Sequence, residues 1–568
     1  MNVRRPTLLL FILLISFTTS HAQNYQWAKS MGGFSTDRGT SIAVDNADNV
    51  FVSGNYQNTV DFDPGAGTTN LTAAGLYDIF LLKTDGSGNL LWAKSVGGTS
   101  NDYGSSIAVD DSGNVYISGT FQGVADFDPG IGIHNLTSQG AHDVFILKLD
   151  ATGNFVWVKR IGGVGIDWGN GITIDDSANV YTIGDFHATV DFDPGPGISN
   201  LTSSSQGTGS TFISKLNSAG NFIWARCFDG PNSVNGLSIT VDHSGNVYSA
   251  GSFRGTADFD PEVGTTFLTS TTPNSTDAFI SKLNAAGEFI WAKKIGGTYL
   301  DHCNSITLDR SSNVYATGVF YNTVDFDPGT GIMNLSSTGV EDVFILKLDE
   351  SGNFGWVKSM GSYDYDRGTS IFADKNGKVY TTGSFKGAVD FDPGTGTTFL
   401  VSAGDFDQFI SKLDTAGNFL WAKNIGGTLG DFGYSIAIDS YGNIYTTGEF
   451  SGTSDFDPGM GTRNLTSNGS WDIFISKLGP NAVGILENNF ENTLNTYPNP
   501  TKGALSIYLG ASYEEIEVII RNQLGQELSR KTYRSTNLLP VNIAGKAGLY
   551  FVEVISADKK AVLKVVKE

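Results

Sequence analysis

Between residues 24 and 479, apolar and polar residues alternate with a period close to two, and no stretch shows the 3.6-residue period of an amphipathic helix. A representative segment has a short apolar run at 106–110, an alternating run at 114–121, a nearly continuous apolar run at 143–149 and a last run at 154–159. These runs, rich in β-branched and aromatic residues, predict four β-strands. Asp110-Asp-Ser-Gly113 and Asp150-Ala-Thr-Gly153 predict tight hairpin turns within the first and last pairs.

The same unit recurs seven times along the chain. A tryptophan in the fourth strand and an Asp-Phe-Asp-Pro motif in the longest connection both recur with spacings of 65, 65, 67, 67, 65 and 65 residues. Because two separate markers agree in number and period, the chain contains a tandem repeat. The tryptophans are Trp27, Trp92, Trp157, Trp224, Trp291, Trp356 and Trp421, and the motifs begin at Asp61, Asp126, Asp191, Asp258, Asp325, Asp390 and Asp455.

Seven units of four antiparallel strands predict an all-β, seven-bladed β-propeller over residues 23–479. The first Trp strand, at 26–31, has no hairpin partner before it, and the last repeat stops at residue 477 without a Trp strand. We therefore expect the N-terminal strand to complete the last blade. An open solenoid is the alternative, but it needs capping repeats, and the sequence shows none.

The repeats resemble the SBBP type of bacterial β-propeller repeat. The resemblance rests on Ser-Ile-Ala-Val-Asp-x-x-Gly-Asn-Val-Tyr and on Gly-Asn-Phe-x-Trp-Ala-Lys, and it covers about residues 24–479. It implies a fold and no particular activity, since one fold hosts many functions. We expect the recurring tryptophan to lie in the core between blades, and the recurring lysine, from Lys83 to Lys477, to form a solvated or salt-bridged edge.

Composition and charge exclude several classes of protein. The 568 residues carry a net charge of −22, so no nucleic-acid partner is expected. Two cysteines, Cys227 and Cys303, are too few for a disulfide scaffold, and the sequence does not show whether they pair. The aromatic fraction of 12% is sufficient for a large core.

Residues 1–22 have the pattern of a secretory signal peptide. Arg4 and Arg5 precede an apolar run at 8–17, and small residues lead to a cleavage site after Ala22. The apolar run is shorter than the ~20 residues that a membrane-spanning helix needs. No later segment approaches that length, so we expect export without a transmembrane anchor.

The repeat stops after residue 479, and residues 480–493 are a linker by composition. Residues 494–568 hold ten Lys or Arg against seven Asp or Glu, a net charge of +3 beside strongly acidic repeats. This shift marks a domain boundary. Apolar runs at 517–520 and 549–554 predict a small β-sandwich there.

This last segment resembles the type A sorting domain of the type IX secretion system. The resemblance rests on Tyr497-Pro-Asn-Pro500, Asn522-Gln-Leu-Gly525, Gly548-Leu-Tyr550 and Lys564-Val-Val-Lys567, in that order. It implies a Gram-negative bacterium of the Bacteroidota, contact with the type IX secretion machinery through residues 494–568, and removal of the domain after export. The mature protein is then secreted or attached to the outer cell surface.

Aspartates recur at one end of the predicted strands. One follows each Trp by ten residues in six repeats, two lie in every Asp-Phe-Asp-Pro loop, and one opens the next strand in six repeats. The loop pairs fit either of two interpretations. They are calcium ligands, since Ca²⁺ takes six to eight oxygens from carboxylates, carbonyls and water, or they accept backbone N–H groups in Asx turns, while Pro sets the turn and Phe packs between blades.

The calcium candidates are the loop pairs that keep the full motif. In the fourth copy Glu262 replaces the glycine, and its pair is left out. The candidates are Asp61, Asp63, Asp126, Asp128, Asp191, Asp193, Asp325, Asp327, Asp390, Asp392, Asp455 and Asp457.

The sequence favours a protein that binds without catalysis. It contains no nucleophile–base signature, phosphate loop or His-Glu-x-x-His motif, and its repeats are nearly uniform in length. We expect a binding, adhesion or scaffold protein that uses its acidic loop face to bind an extracellular ligand, a glycan or a protein. The alternative is an extracellular polysaccharide hydrolase or lyase with a carboxylate site in the propeller funnel.

Overall fold

A computed structural model describes residues 23–205, 207–480, 494–522, 527–556 and 559–568. The predicted signal peptide, at 1–22, and nearly all of the predicted linker lie outside the described residues. The chain forms two compact units, and the division falls between Gly479 and Pro480. The described residues contain no helix long and apolar enough to cross a membrane.

The first unit contains seven antiparallel sheets built on four strands each, and in two of them a hairpin of the next repeat adds two more strands at the edge. The first strands of the sheets are Arg38–Val44, Tyr103–Val109, Trp168–Ile174, Val234–Val241, His302–Leu308, Arg367–Ala373 and Asp431–Ile438. The second strands are Val50–Tyr56, Val115–Phe121, Val180–Phe186, Val247–Arg254, Val314–Phe320, Val379–Asp390 and Ile444–Phe450. The third strands are Asp78–Thr84, Asp143–Leu149, Ser210–Leu216, Thr276–Leu283, Asp342–Leu348, Phe399–Leu413 and Asp472–Pro480. The fourth strands of the first six sheets are Leu90–Gly98, Phe155–Ile161, Phe222–Phe228, Phe289–Ile295, Phe354–Met360 and Phe419–Gly427. In the seventh sheet, Gln23–Met31 lies beside the third strand.

The connection between the second and third strands forms a short hairpin, and the Asp-Phe-Asp-Pro sequence begins at the end of its first strand. In the sixth sheet the hairpin continues the two long strands, so that Asp390 pairs with Phe399. Elsewhere the hairpin strands are Thr59–Asp61 and Asn70–Thr72, Val124–Asp126 and Asn135–Thr137, Thr189–Asp191 and Asn200–Thr202, Thr256–Asp258 and Phe267–Thr269, Thr323–Asp325 and Asn334–Ser336, and Thr453–Asp455 and Asn464–Thr466. Each repeat therefore has more strand structure than the four predicted strands.

The first strands contact one another in a cycle. Each one packs against the first strand of the next sheet, and Asp431–Ile438 packs against Arg38–Val44. Apolar clusters fill the spaces between consecutive sheets. The cluster between the last and first sheets includes Met31, Phe62 and Ile473, each at most 2% exposed. The first strands are therefore the inner strands of this unit.

In six of the seven sheets, a lysine and a tryptophan contact the same carbonyl of the next sheet; in the sixth sheet, the buried Trp421 Nε1 has no hydrogen-bond partner among the described residues. Lys83 Nζ and Trp92 Nε1 donate to the Ala151 carbonyl at 3.2 and 3.4 Å. The corresponding contacts join Lys148 and Trp157 to Ser218, Lys215 and Trp224 to Ala285, Lys282 and Trp291 to Glu350, Lys347 and Trp356 to Thr415, and Lys477 and Trp27 to Gly86. The tryptophans thus lie between sheets, as predicted, whereas the lysines join sheets and are not simply a solvated edge.

The tight turns depend on aspartate side chains and on left-handed backbone. In the first turn of the second sheet, Asp110 Oδ1 accepts the N–H groups of Ser112 and Asn114. Gly113 follows at φ 78°, a conformation that glycine adopts without a steric penalty. These turns close the end of the sheets opposite to the Asp-Phe-Asp-Pro loops.

The second unit has five strands: Asn495–Tyr497, Ala504–Arg521, Glu527–Asn542, Gly548–Ser556 and Lys559–Lys567. The long strand Ala504–Arg521 pairs with the first, third and fourth of them. Its buried residues, Leu505, Ile507 and Ile516 among them, form one apolar cluster with Val552 and Val565. This unit therefore has its own core.

Candidate binding site at the inner rim

The Asp-Phe-Asp-Pro loops are stabilised by hydrogen bonds from backbone N–H groups to the aspartates. Asp61 Oδ1 accepts the N–H groups of Asp63 and Thr69 at 3.0 and 2.8 Å, and Asp63 Oδ1 accepts that of Gly65 at 2.8 Å. Phe62 is fully buried against Tyr56. The first aspartate accepts the equivalent pair of bonds at Asp126, Asp191, Asp325, Asp390 and Asp455, and the second accepts one at Asp128, Asp193, Asp327, Asp392 and Asp457.

This geometry is that of Asx turns, and it fits a calcium ion poorly. One carboxylate oxygen of each loop aspartate already accepts N–H groups, whereas Ca²⁺ needs six to eight oxygens directed at one point. Nowhere in the described parts of the chain do three or more His, Cys, Asp or Glu side chains form a group that could hold a metal. The geometry therefore supports the structural interpretation of the loops.

Calcium is accordingly expected to have little effect on stability. A thermal melt of residues 23–568 should change by less than about 2 °C between excess chelator and millimolar calcium. Ligands that bind only the folded state raise stability by about 2.7 kcal/mol at 100 times Kd, so occupied sites in several loops would shift the melt by many degrees. Such a shift, lost in Asp63→Asn and its equivalents, would restore the calcium interpretation.

The other two sets of recurring aspartates are buried at the joints between sheets. Asp102 precedes an inner strand and accepts the N–H groups of Gly98 and Gln122 at 2.6 and 3.1 Å. Asp78, which opens the third strand of the preceding sheet, accepts the N–H groups of Ala74 and Gly75. Both carboxyls are at most 3% exposed. These aspartates connect the ends of neighbouring strands by bonding their backbone.

Burial makes these carboxyls weak acids. Desolvation raises the pKa of Asp102 to about 7, and the nearby charge of Asp78 adds to the effect. The pKa is raised to about 7 at Asp301 and Asp431, and to about 6 at Asp167, Asp366, Asp407 and Asp472. The acidic end of the sheets is thus less acidic, and less accessible, than its sequence indicates.

The residues next to these buried aspartates differ between repeats, and most carry aromatic or charged side chains. We call them the inner rim, because they lie where the inner strands begin. Before the third-strand aspartate they are Tyr77, His142, Thr276, Glu341, Phe406 and Trp471. After the aspartate that precedes or opens the inner strand they are Arg38, Tyr103, Trp168, His302, Arg367 and Phe432.

Three joints of the inner rim hold pairs of contacting aromatic rings. The ring centroids of Tyr77 and Tyr103 lie 5.5 Å apart, and His142 stacks on Trp168 at 5.2 Å. Phe432 contacts both Phe406 and Trp471, at 5.3 and 5.5 Å. These rings are partly exposed, and Trp168 is 36% exposed. Rings held in pairs present fixed apolar faces at the surface.

Two other joints hold arginines oriented by buried glutamates. Arg38 Nε donates to Glu449 Oε2 at 2.6 Å, and the other oxygen of Glu449 accepts the Tyr434 hydroxyl at 2.6 Å. In the second set, Arg367 Nε and the Tyr321 hydroxyl donate to the two oxygens of Glu341. Each glutamate therefore orients an arginine with one carboxylate oxygen and accepts a tyrosine hydroxyl with the other.

The joint between the third and fourth sheets departs from this plan. Ser210 and Val234 take the places of the two aspartates, and Asp229 accepts the Ser210 hydroxyl instead. Asp185 lies nearby and partly buried, where it accepts the Gly236 N–H at 2.9 Å, and desolvation raises its pKa to about 7. No aromatic or charged side chain takes the two rim positions here, so the rim is interrupted at this joint.

The inner rim is not predicted by the repeat pattern, because that pattern consists of residues that recur, and the rim residues differ between repeats. The recurring aspartates predict which end of the sheets is distinctive, but they stabilise the fold. The available signal was the variation in the positions directly beside them, which becomes visible once the repeats are aligned on those aspartates. Neither cysteine belongs to the rim, and both Cys227 and Cys303 are free thiols.

Comparison with known families confirms both resemblances. Residues 91–120, 156–185 and 420–456 match the β-propeller repeat of the SBBP family, and residues 495–568 match the secretion system C-terminal sorting domain. The chain is therefore an all-β protein built from β-propeller repeats. It ends in a sorting domain of the type IX secretion system, which indicates export to the cell surface or the medium and interaction with the secretion machinery.

Two proteins of known sequence are similar to this chain at low identity. A WD repeat-containing protein of Acanthamoeba polyphaga mimivirus, described as uncharacterized, is 25% identical over 508 residues, which cover 75% of this chain and 36% of the relative. The regulatory protein FlaEY of Caulobacter vibrioides is 26% identical over 204 residues, which cover 35% of this chain and 20% of the relative. The chain thus spans about a third or less of either relative.

Proposed function

We propose that residues 23–480 form a closed seven-bladed propeller in which Gln23–Met31 is the fourth strand of the last blade. Support comes from the cycle of contacts between the inner strands. It also comes from Trp27, which contacts Gly86 of the first sheet together with Lys477, in the same way as five other tryptophan–lysine pairs. The inner rim then surrounds one mouth of the central channel.

The exported propeller, in this proposal, binds a saccharide at the inner rim without turning it over. The observation that carries the proposal is the set of partly exposed ring pairs at three joints, around Tyr103, Trp168 and Phe432. A pyranose ring has a flat C–H face that packs on such a ring, and a saccharide site needs few other groups than fixed hydrogen-bond donors.

Exposed apolar side chains surround the rim on the same end of the sheets. They lie in the links that follow the fourth strands, which lead to the rim positions of the next sheet. Phe34, Val164, Tyr299 and Tyr363 are 91%, 79%, 56% and 85% exposed. Exposed apolar surface of this extent is typical of an interaction face. With the sorting domain, this face favours an adhesion or scaffold role outside the cell.

The carboxyls of the rim favour binding over hydrolysis. A glycoside hydrolase needs two carboxyls on either side of the scissile bond, one of them free to donate a proton. Glu341 and Glu449 are instead buried and bonded by an arginine and a tyrosine each. A hydrolase or lyase activity would require other acids to turn toward the channel.

Substitution of the rim aromatics is expected to weaken saccharide binding without unfolding the chain. We expect Trp168→Ala and Phe432→Ala each to weaken binding to the saccharides that wild type selects from a glycan array by about tenfold or more, ~1.4 kcal/mol. The matched control is Tyr441→Ala, because Tyr441 is 72% exposed in a tight turn at the opposite end of the sheets. An array on which wild type binds no saccharide would refute the proposal, and product release from a bound saccharide would favour the enzyme alternative.

A further inference from the structure

Arg38 and Arg367 of the inner rim are hydrogen-bonded to the fold through one nitrogen only, and the Arg367 guanidinium also lies over the Tyr365 ring, 5.6 Å from its centroid. In each, Nε donates to a buried glutamate, and no described residue bonds the terminal nitrogens Nη1 and Nη2. The two side chains are 48% and 47% exposed, whereas their glutamates are 3% and 4% exposed. Each guanidinium is therefore fixed in direction, and its two terminal nitrogens are free to donate hydrogen bonds at the surface.

Two other arginines of the repeats use terminal nitrogens within the fold. The three guanidinium nitrogens of Arg226 donate to the carbonyls of Gly287, Ala225 and Ala286. Arg160 Nη1 donates to the buried carboxylate of Asp143 and to the Gly162 carbonyl. Arg38 and Arg367 differ from these two arginines, because their terminal nitrogens are bonded by no described residue.

The two arginines lie on either side of one aromatic surface. Their inner strands flank the strand Asp431–Ile438, which carries Phe432 and Tyr434, and these two rings stack at 6.3 Å. Tyr434 is close enough to both guanidiniums for each to lower its pKa, although burial and Glu449 raise that pKa more strongly. A single bound chain could therefore contact the aromatic surface and both arginines.

We infer that the ligand of the inner rim is an anionic glycan, a saccharide chain whose rings carry carboxylate or sulfate groups. This inference rests on the proposed saccharide function and names its substrate class. Paired Nη donors match the two oxygens of a carboxylate or sulfate, and charge-assisted bonds of this kind are about twice as strong as neutral ones. In a chain of net charge −22, two outward guanidiniums at one rim are selective for such groups.

The test compares saccharides that differ only in charge. Binding of hexagalacturonate, its full methyl ester and a chondroitin sulfate hexasaccharide is measured for residues 23–568. We expect wild type to bind hexagalacturonate, the chondroitin sulfate hexasaccharide or both. If it binds hexagalacturonate, the affinity for hexagalacturonate should be at least tenfold higher than that for the methyl ester. Arg38→Gln and Arg367→Gln should each lower the affinity for the acidic probe that binds by about tenfold. The decrease in affinity for the carboxylate probe is compared with that for the sulfate probe, and the larger decrease shows which group the rim prefers.

Two further variants separate binding from folding. Arg310→Gln removes an exposed arginine from a tight turn at the opposite end of the sheets, and it should leave binding unchanged. Because Arg38→Gln leaves Glu449 buried without its partner, the double variant Arg38→Gln/Glu449→Gln removes that charge as well. It should melt near wild type and still lose the acidic probe.

The outcomes distinguish the inference from the proposed function. Equal wild-type affinity for hexagalacturonate and its ester, with binding of both lost in Trp168→Ala, would overturn the anionic ligand and leave saccharide binding standing. Undiminished binding of the acidic probe by Arg38→Gln and Arg367→Gln would also overturn it. Failure of wild type to bind any of the three probes would overturn it as well, and failure across a whole glycan array would refute the proposed function itself.

Discussion

Deleting residues 23–31 is expected to lower the melting temperature of the propeller by more than about 10 °C. This segment lies beside the third strand of the seventh sheet, so its removal leaves that strand as an open edge. It also removes Met31, which is buried between the last and first sheets, and the Trp27 bond to Gly86 at 3.2 Å. These losses fall at one joint and should add.

The control for this deletion is Trp27→Ala, which keeps the strand and removes one contact. We expect a decrease of only a few degrees, because the backbone pairing and Met31 remain. Differential scanning calorimetry of residues 23–568 and 32–568 measures the difference directly. An unchanged melt after deletion would show that the strand does not close the ring, and an open array of sheets would then be the better description.

Stability is expected to fall as the pH rises from 5 to 8, which is the second large effect. The folded pKa of Asp102 is about 7 against an ordinary value of 3.8, and several other buried aspartates have folded pKa values of about 6 or 7. Between these values the folded chain binds more protons than the unfolded chain, so the stabilisation is complete near pH 4 and is lost as the pH passes through 7. Burial lowers the pKa of His142 and His302, and that of Lys412 to about 8, and these groups oppose the trend.

We expect the melting temperature to be at least about 5 °C higher at pH 5 than at pH 8. Asp102→Asn should reduce this difference, because asparagine does not titrate. Asp150→Asn should not, because hydrogen bonds lower the pKa of Asp150 to about 2, outside the range of the experiment. A melting temperature that rises from pH 5 to pH 8 would contradict the assignment of these carboxyls as buried weak acids.

The repeat and its strands could be predicted from the sequence because both depend on residues that recur. The tryptophan period, the Asp-x-x-Gly turns and the alternation of apolar residues each follow from a requirement that every sheet shares. The run predicted at 143–149, for example, coincides with the strand Asp143–Leu149. Such requirements leave the same residue at the same position seven times.

The roles of the aspartates could not be read in the same way. An aspartate that accepts backbone N–H groups and an aspartate that binds a cation have the same spacing, and only the direction of the carboxylate separates them. Asp61 and Asp102 illustrate this, since each accepts two N–H groups from residues that a linear pattern does not bring together. The binding candidates, such as Trp168 and Arg38, vary between repeats and therefore produce no periodic signal.

The central claim is that recurring residues build the propeller and the varying residues beside them bind the ligand. The most direct test is the binding isotherm of Trp168→Ala for the saccharide that wild type binds most tightly on the array. It is measured at a temperature at which the thermal melt of the variant shows a folded chain. The account predicts an unchanged melting temperature, within about 2 °C, and an affinity at least about tenfold below that of wild type and of Tyr441→Ala. An affinity equal to that of wild type in a folded Trp168→Ala/Phe432→Ala double variant would place the binding site elsewhere.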